Sequence, residues 1–537
     1  MMKLLNGRMA QFALRRWMRG YGLMVVFVLP AAQALTVSEQ IPDKAVAIKT
    51  PMHVQESARA NDVTPARGSV MTPQADLGHD SVRQRDGFTP LMLAVNSGDV
   101  AAAQQLLAEK AQFNARDAYQ RTALYLAVKQ QHIAMVQALL EAKVNVHLAD
   151  EHEVSPLMLA VRDRQMQITK LLLDAGADPN RADVKGRTPL LIAVTRHDND
   201  LAKLLISAGA DIRSRDQHGR TPIMAAADNG NVSLIQLLIK EGVDIRERDK
   251  YQHSVLHLAA KGGSLPAIKA LLEHGVDVNE RQQHGFTPLM YAVQHGHYDI
   301  AKLLLASGAL VNAQNSGQVT ALMMAAGGGY DEILSLLLEH KAKVNLHNTP
   351  GWNALFYAIA DNQYQAARRL IQARIDLNWQ DSRGATALLL AAGNSSYDIA
   401  KLLIDSGAKS ELYDHQHLTP LMAASLAGNV ELVTQLAKRK GAVTEADKMG
   451  RTALHWGVQS NNPDIVQQLL NQGAQINAVD HKQRTPLMTA AVLNKCDSVE
   501  ILLAKGANKK LQDKQGKTAA DWALAKGYKQ LSEQLRF

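Results

Sequence analysis

The chain has 537 residues, 46% of them hydrophobic but only 4% aromatic, a balance that suits many thin stacked helices rather than one deep core and leans all-α. Its formal charge of +8 invites an anionic partner until the charges are located: Lys3, Arg8, Arg15, Arg16 and Arg19 stand in a stretch with no acidic residue up to Ala34. Without those five the remainder carries only about +3, which argues against nucleic acid as the main partner.

The first predicted element is that basic stretch together with the apolar run YGLMVVFVLPAAQA, which ends in small residues with Ala32 and Ala34 in A-x-A register. It reads as a secretory signal peptide, residues 1–34, cut near Ala34. An uncleaved signal anchor is the alternative, but it needs nearer ~20 apolar residues, and polar residues return at Thr36. Arg15-Arg16 is a twin-arginine pair with an unfavourable continuation, so ordinary Sec export is the expectation. Residues 35–82 mix polar residues and scattered prolines without an apolar period and read as a disordered or extended linker. The mature protein is expected in the periplasm, with secretion as the alternative.

From residue 83 to 537 a rigid 33-residue register follows. Thr89, Thr122, Ser155, Thr188, Thr221, Ser254, Thr287, Thr320, Asn353, Thr386, Thr419, Thr452, Thr485 and Thr518 recur without insertion, all of them N-capping types. Seven are followed by proline, which is tolerated at the first helical position because no N–H partner exists there. Two residues after the cap stands Leu or Ile in thirteen units of fourteen, and five after it Ala in all but one, where Gly457 replaces it. A second amphipathic run ends at glycines such as Gly176, Gly275 and Gly308, suited to a left-handed C′ position. Five residues before the cap ten units carry Asp, often in a D-x-x-G turn. Each unit therefore reads as turn, helix, short loop, helix and extended return.

Strings such as GFTPLMYAVQHGHYDIAKLLLASGALVNAQ (285–314) resemble the ankyrin repeat. The resemblance covers about 84–537 and implies an all-α ankyrin-repeat solenoid of fourteen helix-turn-helix units with β-hairpin fingers, a curved superhelix whose concave side binds proteins. The last unit, with polar Asp521, Lys526, Lys529 and Glu533, reads as a C-terminal cap. The Asn353 unit, with Trp352 before the cap and Asn362 in place of glycine, and the Thr419 unit, with its glycine shifted to Gly441, are the expected points of distortion.

The resemblance also nominates partner-binding positions: the finger tip, the residue before the cap and the end of the first helix. On this chain they give two basic arms, Arg121, Arg187, Arg220 and Lys250 in the first half and Arg451 and Arg484 near the end, around an apolar centre with Trp352 and Phe286 as anchors. Tyr119 and Tyr251 add aromatic finger contacts. The competing reading is a solvated basic rim whose field the turn aspartates largely cancel. Met92, Met158, Met224, Met290, Met323, Met422 and Met488, three residues after the cap, are read as packing in preference to a thioether-lined surface or oxidant sink.

No catalytic residue, cofactor or metal is expected. His253, His284 and His295 would suggest an ion if fingers and helix ends brought them together across adjacent units, but no HExxH-type spacing supports one. Cys496, the single cysteine, excludes an internal disulfide and is read as a buried inert thiol near the start of a second helix. No Walker loop, nucleophile elbow or dinucleotide fingerprint appears. The functional expectation is a non-catalytic protein-protein interaction scaffold of the bacterial envelope, most simply a monomer, with a host-directed secreted effector or anionic-polymer binding as alternatives.

Overall fold

The computed structural model describes residues 87–109, 112–394 and 396–536; the signal-peptide and linker readings, residues 1–82, lie outside them. The compact unit Asp86–Phe537 holds 28 helices in fourteen pairs among the described residues. Every predicted cap residue is the N-cap of the first helix of its pair.

The Thr287 unit shows why the local sequence folds this way. Thr287 is extended (φ −101°, ψ 163°) and its Oγ1 accepts from the Met290 amide at 3.3 Å, satisfying a helix N–H that has no carbonyl partner. Pro288 opens the seven-residue helix Pro288–Gln294, which buries Leu289, Met290, Ala292 and Val293. The chain turns at Gly296 (φ 74°) into Tyr298–Ala306, which buries Ile300, Ala301, Leu304 and Leu305. Gly308 ends it at φ 91°; a Cβ there would meet nothing within 4 Å, so backbone angle alone, and no lack of space, favours glycine.

Neighbouring units join along three lines. First helices pack on one another, as Ala321–Gly328 does on Ala354–Ala360, and more closely than second helices do. The alanine five residues past the cap is the contact point: Ala292, Ala325 and Ala358 are fully buried. Approach is tight where Gly262 faces the Asp228 carbonyl, since a Cβ on it would sit 2.1 Å from that oxygen. Along the fingers the amide after the turn residue donates to the preceding finger: Ser316 to the His284 carbonyl at 2.9 Å, Thr349 to Gly317 at 3.2 Å, Ser382 to Pro350 at 3.0 Å. Behind the second helices, asparagines accept the amide 31 residues ahead, as Asn279 does from Leu310 and Asn312 from Lys343, both at 2.8 Å.

The fingers predicted as β-hairpins are turns: among the described residues only isolated bridges form, Gln314 with Thr320, Gln380 with Thr386 and Ala446 with Thr452. Of the two expected distortions, the Thr419 unit has one. Its second helix shrinks to Val430–Leu436, Gly441 takes φ 84° and a 3₁₀ turn, Ala442–Thr444, replaces the missing helical turn. The next unit keeps only Ala453–Gly457 as its first helix. The Asn353 unit is regular, with helices Ala354–Ala360 and Tyr364–Gln372, because Asn362 itself adopts the left-handed conformation (φ 53°).

Candidate protein-binding surface

The finger turn is built around its aspartate. In the Thr122 unit, Asp117 Oδ1 accepts the amides of Tyr119 (2.9 Å) and Arg121 (2.8 Å), closing the turn, while Oδ2 accepts Arg121 Nε at 2.7 Å. The same arrangement pins Arg187 to Asp183 (Nε 2.7 Å), Arg451 to Asp447 (2.8 Å) and Arg484 to Asp480 (2.9 Å). Arg220 turns instead to Asp228, 2.9 Å away, which also holds Lys261 at 3.1 Å. Five of the arginines expected as free cationic contacts are thus paired within the protein. An arginine that completes a turn offers little charge to a ligand, so these five add little to the field of the arms.

The centre departs from expectation as well. Trp352 is only 7% exposed, and its indole N–H donates to Asp381 Oδ2 at 3.1 Å. Its ring lies 5.8 Å from Phe356 and stands perpendicular to Tyr357 at 6.0 Å. Phe286 is 8% exposed. Both side chains are finger packing rather than protruding anchors, because each finger leans on its neighbour and covers the residue before the cap. Tyr119 and Tyr251, by contrast, are half exposed, and Lys250 is exposed.

The other single-residue readings resolve in the same geometric terms. All seven methionines three past the cap are buried, so they pack between helices and line no surface. Cys496 is exposed as the first residue of Cys496–Ala504, which corrects its reading as a buried thiol: the helix's first two residues face solvent and its buried face begins only at Ser498 and Val499. His253, His284 and His295 do not converge. His253 bonds Asp249 Oδ2 through Nδ1 and the Tyr291 hydroxyl through Nε2, both at 2.9 Å, whereas the His295 ring stacks at 6.0 Å on His297. Burial works against the Asp249 carboxylate, but its bonds from His253 and Tyr251 outweigh that and hold its pKa below the ordinary value. Among the described residues no group of three His, Cys, Asp or Glu is placed to hold a metal ion.

Two histidines that the sequence reading passed over bridge units. His257 stands in the register position where seven units carry methionine, fully buried. Its Nδ1 accepts the Ser254 amide at 3.2 Å and its Nε2 donates to the Phe286 carbonyl of the next unit at 3.0 Å. Burial pushes its pKa down to about 4. His455 repeats the arrangement between Thr452 (3.1 Å) and the Arg484 carbonyl (3.0 Å), and burial lowers its pKa too.

What the register did not disclose is an apolar strip. Four residues past the cap the side chain is buried in five successive units, as Leu126, Leu159, Ile192, Ala225 and Leu258. In the next four it is partly exposed, as Tyr291, Met324, Tyr357 and Leu390; Leu93, alone at the start of the array, is partly exposed too. Val319 and Leu418, before their caps, are half exposed beside it on the fingers. The residue types were visible in the sequence; their access to solvent depends on how neighbouring fingers lean, which a single unit does not encode.

A family model described as ankyrin repeats (3 copies) matches residues 70–150, 157–249, 223–315, 322–414 and 388–480; a second, ankyrin repeats (many copies), matches 295–338; and a single ankyrin repeat matches 482–514. The chain belongs to the ankyrin-repeat family. No curated protein matches it significantly. Ankyrin repeats are in general protein-protein interaction modules, and this array's stacked first helices with their fingers form the surface such modules present. No helix of the described residues is long and apolar enough to cross a membrane.

Proposed function

We propose that this ankyrin-repeat protein is a non-catalytic scaffold of the bacterial envelope, exported to the periplasm, that binds a protein segment along the apolar strip. The observation that carries the reading is the exposure of Tyr291, Met324, Tyr357 and Leu390 at one register position on four consecutive first helices, after five units that bury it. Apolar side chains aligned across stacked helices and left half open form a continuous contact line, and burying such a line is the main favourable term in association. The tyrosine hydroxyls are held, Tyr291 by His253 and Tyr357 by the Asn348 side-chain amide at 2.9 Å, so the rings are fixed before a ligand arrives. The leader-like pattern of residues 1–34 supports the compartment.

Ligands selected from a displayed random-peptide library on the wild-type protein should carry apolar residues and should bind a Met324→Lys/Leu390→Lys variant at least about tenfold more weakly, the scale of losing one well-packed anchor. Unchanged affinity of every ligand for that variant sinks the strip. Fractionation checks the compartment: recovery of the uncut chain from the cytoplasm contradicts export.

A further inference from the structure

We infer that the exposed lysines on the last three fingers form a docking row for an acidic polypeptide segment. The inference rests on the reading of the protein as a protein-binding scaffold and names the chemistry of one stretch of the partner.

Two kinds of cation stand on these fingers. Arg451 and Arg484 are spoken for: each guanidinium sits 2.8 Å from the aspartate of its own turn, Asp447 or Asp480, and the Arg451 guanidinium also lies 4.0 Å over the Trp456 ring. Lys517 lies 4.4 Å over the Trp522 ring, whose N–H occupies Asp513 at 2.8 Å. Lys448, Lys482 and Lys514 differ. All three are exposed, they stand at the finger tips, and among the described residues no carboxylate pairs with them. The turn acids nearest to them face inward: Asp447, Asp480 and Asp513 each give Oδ1 to two backbone amides and Oδ2 to a side chain of their own unit. Glu445, the remaining acid beside the row, pairs with Arg439 at 2.6 Å. The tips are tied into one edge, with the His481 amide donating to the Met449 carbonyl at 2.8 Å and the Lys514 amide to the Lys482 carbonyl at 3.0 Å.

Free ammonium groups therefore occur once per unit on these tips, directly after the turn aspartate at Lys448 and Lys514 and two residues after it at Lys482. Lys482 and Lys514 are neighbours across their backbone hydrogen bond and Lys448 stands further back, so the three form an uneven cationic row. A partner segment carrying several carboxylates complements it. A nucleic-acid duplex, with one charge per ~1.7 Å of axis, would be left mostly unneutralised by one lysine per unit. The contacts are solvent-exposed, so they set specificity and on-rate and weaken with salt.

The test titrates the full chain with a labelled peptide of spaced glutamates, repeating Glu-Ser-Ser, with the same peptide carrying glutamine in place of every glutamate, and with a single-stranded oligonucleotide. The expected result is preference for the spaced peptide, at least about tenfold weaker binding by Lys448→Glu/Lys482→Glu/Lys514→Glu, and no change in Lys203→Glu, an exposed lysine on the second helix Asn199–Ser207. Equal binding by the triple variant, equal affinity for the two peptides, or binding of the oligonucleotide in preference to both peptides overturns the inference. The Met324→Lys/Leu390→Lys variant separates the two readings. If it loses its selected ligands while the spaced peptide binds the triple variant as well as wild type, the lysine row alone fails. If it keeps them while the spaced peptide still needs the lysines, the strip alone fails.

Discussion

The fingers of the Thr122, Thr188, Thr452 and Thr485 units and those of the three central units, Thr287, Thr320 and Asn353, solve one problem with different chemistry. In the former, an aspartate closes the turn and its second oxygen is neutralised by the arginine before the cap. In the latter the acid becomes Gln282, Asn315 or Asn348, and the arginine becomes Phe286, Val319 or Trp352. The turn itself survives: Asn315 Oδ1 still accepts the amides of Gly317 (3.0 Å) and Val319 (2.9 Å), and Asn348 Oδ1 that of Trp352 (2.7 Å). Closing the turn needs an acceptor oxygen, not a charge. In these three units acid and base are dropped together, and the neutral stretch that results carries three of the strip's four residues; the fourth, Leu390, stands in the unit of the Asp381–Arg383 pair. A charged pair beside the strip would have to be kept solvated or be desolvated by any ligand that covered it.

The sharpest way to break this comparison is at Trp352. Trp352→Ala removes a buried aromatic and leaves Asp381 with Arg383 as its side-chain donor, at 3.0 Å; a loss of about 3–5 kcal/mol in urea unfolding is expected. A loss under about 1 kcal/mol would mean that the indole is an exposed contact after all.

The His257 bridge comes next. The imidazole has a pKa of about 4 in the fold against 6.5 unfolded, so its stabilisation is complete above pH 6.5 and is lost as pH falls toward 4. The total is roughly 3 kcal/mol from the 2.5-unit difference. His257→Met, which installs the residue found at this position in seven units, should flatten that part of the stability-pH curve; an unchanged curve refutes the bridge.

Smaller effects separate the charged turns from the neutral ones. Asp447→Asn leaves Arg451 without its carboxylate and should cost about 1–3 kcal/mol. Asn315→Asp keeps the acceptor at a less buried turn and should cost about 1 kcal/mol or less. Equal costs from the two substitutions, measured by thermal unfolding, would erase the distinction. The smallest difference concerns the caps. Thr188→Ala removes a bond to the Leu191 amide (3.3 Å) and should cost about 1 kcal/mol, whereas Thr221 makes no capping bond and its buried hydroxyl has no partner, so Thr221→Ala should be nearly neutral.

Caps, prolines, left-handed glycines and the alanine contact were legible in the sequence because each is fixed within its own unit. The shortened helix after Thr419 was legible for the same reason, through the displaced Gly441. Most of what sequence reading missed lies between units. The Trp352 indole bonds to Asp381, 29 residues ahead, and His257 bonds to Phe286, also 29 ahead, so their burial is decided by a neighbour. The arginine pairs sat in plain view as Asp-x-x-x-Arg, but the turn brings them together only once both of its amides have closed on Oδ1. The strip is the clearest case, since Leu258 and Leu390 share residue type and register yet only Leu390 meets solvent.

Amide hydrogen exchange with a library-selected peptide ligand bound to the wild-type protein tests the central claim most directly. The account predicts slowed exchange in Pro288–Gln294, Ala321–Gly328, Ala354–Ala360 and Ala387–Gly393, and none in the corresponding helices from Ala123–Lys129 to Val255–Gly262. Protection confined to the earlier helices, or to the second helices behind them, would contradict it.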